Sequence, residues 1–213
     1  MRRLLEGLLC IVAVPAVAQT SPWSVHIGPG FVMLHVKAQP EAPPGTPVPG
    51  AGLDADNGTT LGLEVGYSVT PELTARLTVG IPVKTDVSAS GSVAAIGKVG
   101  DVTYGPGVLS ATWTFRKFGV FRPYAGAGAA YLKVFSTHDA GVTDFRVGNA
   151  WGSVLQLGTD VDTGSRVGLF LDVKKIYLKT NVAGNVPALG GTPASARARV
   201  DPLVVHAGLS YRF

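Results

Sequence analysis

The residues of this chain that could do chemistry are few, and their spacing predicts no reactive centre. They include four histidines, at His26, His35, His138 and His206. These lie far apart in the sequence, and no H-E-x-x-H pair or other metal-ligand spacing occurs. There is no G-x-S-x-G nucleophile elbow, and Gly126-Ala127-Gly128 is not followed by the glycine and helix of a nucleotide loop. The sequence therefore predicts a protein that is not an enzyme and holds no metal or cofactor.

Charged side chains are more informative, because they alternate with apolar residues along the chain. They are Glu64, Arg76, Asp160, Asp172, Lys174, His206 and Arg212. If a sheet turns its apolar face towards lipid, these charges point into the interior of a closed barrel. A hairpin that turns symmetrically about Thr70 would place Glu64 opposite Arg76, as a pair of opposite charges. We expect interior charges to pair, because the lumen of a small barrel is narrow and poorly hydrated.

The elements that must position these charges are β-strands, since apolar and polar residues alternate with period two. In one strand Leu61, Leu63 and Val65 alternate with Gly62 and Glu64. The same pattern predicts eight strands, at about 24–36, 60–69, 72–81, 107–116, 123–135, 150–161, 165–178 and 200–213. Eight strands can close into a barrel, which would bring His26 on the first strand near His206 on the last.

The connections between these strands alternate between short and long. Those after the second, fourth and sixth strands are short, which is the layout of an antiparallel outer-membrane barrel. The first long loop, 38–57, contains five prolines, so we expect no regular structure there. The last long loop, 179–199, is rich in Gly, Ala and Pro, and we expect it to be mobile.

The start of the chain indicates export from the cytoplasm. Arg2 and Arg3 precede an apolar stretch that ends at the small residues Ala16-Val17-Ala18, as in a secretory signal peptide. We therefore predict that residues 1–18 are removed and that residues 19–213 form one barrel domain. The single cysteine, Cys10, lies in the signal, so no disulfide is expected in the mature chain.

Composition agrees with a membrane barrel and argues against nucleic acid as a partner. Only 15% of the residues are charged, compared with about 25% in an average globular protein. The formal net charge is +4, but the 18 Lys and Arg residues are scattered and form no basic block. We expect the partners to be outer-membrane lipid and small hydrophobic solutes.

An ordered set of motifs resembles the outer-membrane protein W (OmpW) family of Gram-negative bacteria over most of the mature chain. The set includes Ile27-Gly28-Pro29, Arg122-Pro123-Tyr124 with the Ala-Gly run after it, Trp151-Gly152, Val200-Asp201-Pro202 and the ending Tyr211-Arg212-Phe213. The resemblance implies an all-β fold, an eight-stranded antiparallel transmembrane β-barrel in the outer membrane. It also implies a narrow, largely hydrophobic channel for small hydrophobic molecules or ions, without enzyme activity. Gly105-Pro106-Gly107 departs from the two consecutive prolines usual in the family.

The resemblance and the alternation pattern together suggest which residues line the channel. The candidates are Trp151, Glu64, Arg76, Gln156, Asp160 and His206. For Trp151 the alternative is an aromatic anchor at the membrane interface, where Trp and Tyr collect. Tyr211 and Phe213 end the last strand, and we expect them to lie at the periplasmic interface and to form the signal read by the barrel-assembly machinery.

Three other interpretations of the sequence remain open at this point. The barrel could be structural, or could present its loops as an adhesin or receptor, without any transport. It could be an enzyme of the outer rim, for which His138 is the one candidate residue. It could also be a soluble secreted barrel with its apolar face turned inwards.

Overall fold

The computed structural model describes residues 21–213, and the predicted signal peptide lies outside them. This part of the chain consists of thirteen β-strands and two short 3-10 helices, Ala94–Ile96 and Pro187–Leu189. The strands are β1 (Trp23–Met33), β2 (Val36–Glu41), β3 (Ala51–Ala55), β4 (Gly58–Ser68), β5 (Leu73–Gly80), β6 (Val83–Gly91), β7 (Lys98–Thr114), β8 (Phe121–Asp139), β9 (Thr143–Val147), β10 (Ala150–Val161), β11 (Val167–Val186), β12 (Thr192–Val200) and β13 (Leu203–Arg212). Neither helix in residues 21–213 is long and apolar enough to span a membrane.

Eight of these strands form a closed antiparallel barrel, as the sequence predicts. Their order around the wall is β1, β4, β5, β7, β8, β10, β11 and β13, and β13 pairs back to β1. In this closing pair Ile27 lies opposite Leu209 and Gly30 lies opposite His206. Closure pairs the edges of the sheet, as a sheet in lipid requires.

The two faces of the barrel wall follow the alternation in the sequence. Outward side chains are apolar and exposed, such as Leu63, Leu77 and Leu109, whereas Glu64 on the inner face is 1% exposed. Exposed aromatic residues lie at both ends of this apolar belt: Trp23, Tyr67, Trp113, Phe121, Tyr211 and Phe213 at the turn end, and Phe31, Phe135, Trp151 and Tyr177 at the other. This is the surface of a membrane barrel. Because the belt encloses a polar interior, the soluble barrel with an inward apolar face is wrong.

Above the belt the wall continues as an extension made largely of the predicted long loops. Strands β7, β8 and β11 run past the belt; β6 pairs with β7 and β3, β9 pairs with β11, and β12 pairs with β11 and β2. The expectation of no regular structure in the first loop is therefore wrong for the parts that form β2 and β3, while residues 42–50 lie outside the strands. The predicted last loop forms the end of β11, a 3-10 helix and β12. Pro40 is tolerated in β2, because β2 ends the path of paired strands. The small residues of 192–200 let β12 pack closely, since Ala196 and Ala198 are both buried.

The interior is divided into a polar lower part and an apolar upper part. An apolar cluster fills the extension, formed by Leu53, Val83, Val87, Val99, Val102, Tyr104, Val142, Phe145, Val186 and Ala196. A second apolar group forms a collar beneath it, made of Val108, Ala130, Ala150, Val154, Ile176 and Leu178. The predicted charges lie below this collar, within the height of the apolar belt.

Candidate functional site

The lower half of the lumen is filled by a cluster of buried polar side chains, the polar plug. Its members are His26, Glu64, Arg76, Tyr124, Gln156, Asp160, Asp172 and Lys174. At its centre, Glu64 accepts hydrogen bonds from Arg76 Nη1 at 2.7 Å and from Lys174 Nζ at 2.9 Å. Both cations are buried, and a buried charge is stable only when it is paired in this way.

The ion pair between Glu64 and Arg76 forms, but not in the register that the sequence suggested. Glu64 lies opposite Thr78, and Arg76 lies opposite Gly66. The predicted register is wrong by two residues because the turn between β4 and β5 is centred at Pro71 and not at Thr70. The long Arg76 side chain reaches Glu64 diagonally across the two strands, a separation that long side chains can bridge.

The other half of the plug is built around Asp172. Tyr124 donates its hydroxyl to Asp172 Oδ2 at 2.9 Å, and Gln156 donates to the same oxygen at 2.7 Å. The Arg76 guanidinium lies 4.1 Å from the centre of the Tyr124 ring, which joins the two halves by a cation–π contact. The plug therefore crosses the lumen from β4 and β5 to β8, β10 and β11.

Two histidines extend the plug towards the seam that closes the barrel. His26 lies between two carboxylates, with Nδ1 at 3.1 Å from Glu64 Oε1 and Nε2 at 3.0 Å from Asp160 Oδ1. His206 Nε2 lies 3.2 Å from the carbonyl oxygen of Gly28. The expected contact between the two imidazoles does not form, because the Phe170 ring lies between them. The centre of the Phe170 ring is 4.4 Å from that of His26 and 4.7 Å from that of His206.

The upper half of the interior contains an apolar cavity of about 80 Å³. Its walls come from the extension and include Leu34, Val36, Val87, Val102, Leu132 and Val147. A second apolar cavity of about 110 Å³ lies towards the outer tip, and Leu53, Phe145 and Val182 border both. Together they form an apolar compartment that favours hydrophobic molecules, because a polar molecule would lose its hydrogen bonds to water there without gaining others.

Three hydroxyl groups interrupt the apolar lining of this cavity, and one of them, that of Thr180, donates a hydrogen bond to the Gly148 carbonyl at 2.6 Å. Thr85 and Tyr104 both line it and are buried, and neither hydroxyl makes a hydrogen bond of ordinary geometry within residues 21–213. The Thr85 hydroxyl nevertheless lies close enough to the Tyr104 phenol to oppose the rise in the Tyr104 pKa that burial causes. A buried hydroxyl without a partner is unfavourable. These two groups are therefore available to a polar atom of an otherwise apolar molecule.

One side of the wall beside the cavity lacks a continuous hydrogen-bond ladder. Regular pairing between β4 and β5 ends at Gly62 and Gly80, and one further backbone bond runs from Ile81 N–H to the Leu61 carbonyl at 3.1 Å. Above it, β6 pairs with β7 and β3 instead of β4. Pro82 lies at this break and has no N–H to donate. On the outer surface the break opens into a groove lined by residues such as Phe31, Met33 and Thr59.

The contact between Val83 and Gly58 lies at the inner side of this outer groove. Val83 borders the groove, is buried, and lies opposite the cavity residue Tyr104. It packs so closely against Gly58 that a Cβ atom at that glycine would lie 2.5 Å from Val83 Cγ1. Val83 and Gly58 therefore form a thin lateral seal without a backbone hydrogen bond between the two residues, flanked by single backbone bonds from Ile81 N–H to the Leu61 carbonyl and from Asp56 N–H to the Asp86 carbonyl, each 3.1 Å.

The structure places five of the six predicted lining residues in the interior. Glu64, Arg76, Gln156 and His206 are buried, and Asp160 is mostly buried at the lower end. The expectation for Trp151 as a lining residue is wrong, because its side chain is 72% exposed on the outer face. It packs against Tyr131 across the strand pair, with ring centres 4.6 Å apart. Its position fits the alternative of an interface aromatic.

His138 belongs to a charged group on the outer surface of the extension. Its Nδ1 lies 3.0 Å from Asp101 Oδ1, and Lys84 Nζ lies 3.2 Å from the same oxygen. Burial acts to raise the pKa of the Asp101 carboxyl, but hydrogen bonds from Lys84 and His138 outweigh it and lower the pKa below its ordinary value. No Ser or Thr hydroxyl within residues 21–213 hydrogen-bonds to His138, so a base and nucleophile pair is not formed there.

Sequence reasoning missed Tyr124 and the apolar cavity. Tyr124 is separated by an even number of positions from the small inward-facing residues of β8, such as Gly126 and Gly128, so the alternation could have placed it inside. The cavity wall could have been found from the alternation of apolar residues in 83–87 and 194–200, which lie in segments that were interpreted as loops.

Comparison with known proteins agrees with this architecture. The model of the OmpW family matches residues 36–213. The dibenzothiophene metabolism operon protein PahQ of Pseudomonas aeruginosa is 33% identical over 210 residues, which cover 99% of this chain and 97% of PahQ. Outer membrane protein AlkL of Ectopseudomonas oleovorans is 31% identical over 169 residues, covering 79% of this chain and 72% of AlkL. The crystal structure of the outer membrane protein OprG from P. aeruginosa has the same fold, with a TM-score of 0.83 and 23% identity over 91% of this chain and 97% of OprG.

Proposed function

The chain belongs to the OmpW family of Gram-negative outer-membrane barrels, and we propose that it lets small hydrophobic molecules cross the outer membrane. The observation that carries this proposal is the apolar cavity, enclosed by the extension above the membrane belt. A hydrophobic solute outside the cell must cross a polar, hydrated layer before it reaches lipid. An apolar compartment above the membrane lowers the cost of that crossing, because the solute exchanges water for apolar side chains.

The polar plug argues against a path straight through the barrel axis. Glu64, Asp172 and Lys174 are each 1–2% exposed, and their hydrogen bonds are made to one another and to their neighbours. A hydrophobic solute on this path would have to break paired buried charges, which is strongly unfavourable. Ions would need the same charges to separate. We therefore favour hydrophobic molecules over ions as the solutes.

The lateral seal offers a shorter exit. Val83 and Gly58 separate the cavity from the outer groove, and no backbone hydrogen bond joins these two residues. The backbone bonds that flank them, from Ile81 N–H to the Leu61 carbonyl and from Asp56 N–H to the Asp86 carbonyl, are the ones that a wider opening would break. Small movements of β6 would therefore connect the cavity to the lipid-facing groove beside Phe31 and Met33. In this proposal the solute leaves sideways into the membrane, and the plug stays closed.

The names of two relatives support hydrophobic solutes. PahQ and its counterpart DoxH from Pseudomonas sp. are named for an operon of dibenzothiophene metabolism, and each is 33% identical to this chain. Dibenzothiophene is a small, planar, aromatic molecule. The unpartnered hydroxyls of Thr85 and Tyr104 could each hydrogen-bond to an oxygen or sulfur atom of such a solute.

The proposal is tested by uptake in a Gram-negative host that lacks its own family member. We expect expression of the protein to speed entry of a small aromatic hydrocarbon but not of a sugar of similar size. Val102→Trp fills the cavity, and we expect it to slow hydrocarbon entry by about tenfold, equivalent to about 1.4 kcal/mol of lost stabilisation. Leu155→Trp, on the lipid-facing surface, is the matched control, and we expect it to leave the rate of hydrocarbon entry unchanged.

Folding of each variant is checked by the shift in gel mobility on heating. Hydrocarbon entry that equals that of cells without the protein, at normal barrel levels, would contradict transport and favour the structural or loop-presenting alternative. Rapid hydrocarbon entry at the same rate in the wild type and in the Val102→Trp variant would show that the solute does not pass through the cavity.

A further inference from the structure

Three basic side chains stand side by side on the outer surface of the extension. Arg199 of β12 lies directly opposite Lys37 of β2 on one side and Lys179 of β11 on the other. All three are exposed. Arg197 is exposed on the same face of β12, two residues further from the membrane, where its neighbours Gln39 and Asn181 are uncharged. We call these four residues the basic row.

The basic row is not neutralised by the rest of the protein. Within residues 21–213 none of its four members forms an ion pair, whereas Lys84, Lys98, Lys117 and Arg146 each pair with a carboxylate. The two acids closest along the chain point elsewhere. Glu41 accepts a hydrogen bond from the Gly45 backbone N–H, and an oxygen of the Asp201 carboxylate is buried.

This arrangement costs stability in the absence of a ligand. Side chains directly opposite one another on antiparallel strands have Cβ atoms about 5 Å apart, and like charges at that distance repel. Arg199 experiences this repulsion from both sides. Lys175, which precedes Tyr177 on the same face of β11, differs in that its Nζ donates a hydrogen bond to the Asp201 carbonyl at 2.6 Å. A row of like charges without counter-charges is the expected structure of an anion-binding surface.

The height of the row identifies the anion. On β11 the exposed aromatic Tyr177 marks the upper edge of the apolar belt, and Lys179 is the next outward-facing residue. Two residues along a strand cover about 7 Å, so the row lies just above the hydrocarbon. In a Gram-negative outer membrane, this is the level of the phosphate groups of lipopolysaccharide, whose lipid A part carries them next to its acyl chains.

We propose that the basic row binds the phosphate groups of a lipopolysaccharide molecule packed against β2, β12 and β11. The acyl chains of this lipid lie along the apolar belt below, against the outward face of β11 and β13. Its phosphates are bridged by Arg199 with Lys37 and Lys179, and Arg197 reaches towards phosphates or sugar hydroxyls further out. The bound lipid removes the repulsion within the row and fixes the edge strand β2 to the membrane surface.

The experiment measures the unfolding temperature of the refolded, full-length mature protein in a zwitterionic detergent. Three additives are compared, namely phosphorylated lipid A, the same lipid after dephosphorylation, and inorganic phosphate. We expect phosphorylated lipid A alone to raise the unfolding temperature. A variant combining Lys37→Gln, Lys179→Gln and Arg199→Gln should bind it about 10- to 100-fold more weakly, because surface cations contribute additively to binding an anionic lipid. An equal effect of dephosphorylated lipid A or of inorganic phosphate would overturn the proposal.

A matched control removes the same number of positive charges elsewhere. Lys98→Gln, Lys117→Gln and Arg146→Gln each replace a cation that pairs with a carboxylate, and this triple variant should keep the lipid effect. If both triple variants lose it equally, total charge rather than the basic row is responsible, and the proposal fails.

A change of sign separates lipid binding from a structural role. Without lipid, replacing Arg199 with Gln should leave the unfolding temperature unchanged or raise it, since repulsion within the row is relieved. With phosphorylated lipid A, the same variant should be less stable than the wild type. A variant that is less stable in both conditions would mean that Arg199 stabilises the wall itself, contrary to the proposal.

Discussion

Glu64 holds the polar plug together, since four side chains donate hydrogen bonds to its carboxylate. The donors are Arg76, Thr78, Gln156 and Lys174. Two of them, Arg76 and Lys174, are basic side chains from opposite sides of the lumen. The plug therefore links β4 and β5 to β10 and β11 through one side chain, and its loss leaves two buried charges without their partner.

We expect Glu64→Gln to lower the free energy of unfolding by about 3 kcal/mol, because Arg76 and Lys174 lose a shared counter-charge in the interior. Denaturant unfolding in lipid vesicles measures the change. Glu72→Gln, at an exposed periplasmic turn, is the control and should change the free energy by less than about 0.5 kcal/mol. Equal midpoints for the wild type and the Glu64 variant would show that the plug does not stabilise the barrel.

At the residue scale, parity along a strand predicted which side chains face inwards but not which of them touch. Glu64, Arg76 and Asp172 were placed inside from the alternation alone. Their pairing depends on the turn centre at Pro71 and on side-chain length, which a pattern of period two does not encode. Trp151 was misplaced because the resemblance suggested a lining role, whereas its odd parity, shared with Leu155 and Leu157, indicates the outer face.

At the scale of elements, the closing strand β13 ends in an exposed aromatic pair. Tyr211 and Phe213 have ring centres 4.8 Å apart and face outwards. They form part of the lower aromatic girdle, where a last strand meets the membrane interface. Their buried contacts are few, so their contribution to folding stability is small compared with a core aromatic.

We propose that the assembly machinery reads the end of the last strand, and on that proposal we expect deletion of Phe213 to reduce the amount of folded barrel in the outer membrane. Refolded in vitro, the shortened protein should be nearly as stable as the wild type. Quantitative outer-membrane fractionation measures the first effect. Phe118→Ser, at another exposed periplasmic aromatic, is the control. Normal membrane levels of the shortened chain would remove the assembly role.

The elements of the belt were predictable, but those of the extension were not. Along each belt strand, apolar lipid-facing residues alternate with inward-facing residues over eight or more positions, which makes the strand recognisable in the sequence. The extension strands β2, β3 and β9 are five or six residues long. Each of them contains a proline or a glycine or has one next to it. Such short segments carry too little periodicity to separate them from loops, and they form because neighbouring strands supply their hydrogen bonds.

At the scale of the whole molecule, the interior has a closed polar floor and an apolar chamber above it. This division explains why the lower charges and the upper apolar cluster belong to one function. In the proposed function, the plug keeps the barrel axis closed, and the chamber is the compartment that takes up hydrophobic solutes above the membrane. The lateral seal at Gly58 and Val83 is the point where the chamber comes closest to lipid.

The seal can be locked by a disulfide without rebuilding the wall. A Cβ atom at Gly58 would lie 3.8 Å from Val83 Cβ, which is the usual Cβ separation in a disulfide. The only natural cysteine is Cys10, in the predicted signal peptide. A mature chain with Gly58→Cys and Val83→Cys therefore has one possible intramolecular bridge.

The most direct measurement is the entry rate of a small aromatic hydrocarbon through this double variant, oxidised and then reduced. We predict that oxidation slows entry by about tenfold, about 1.4 kcal/mol in the barrier, and that reduction restores it. Each single cysteine variant should respond to neither treatment. Equal entry through the oxidised and the reduced barrel would contradict lateral passage from the apolar cavity.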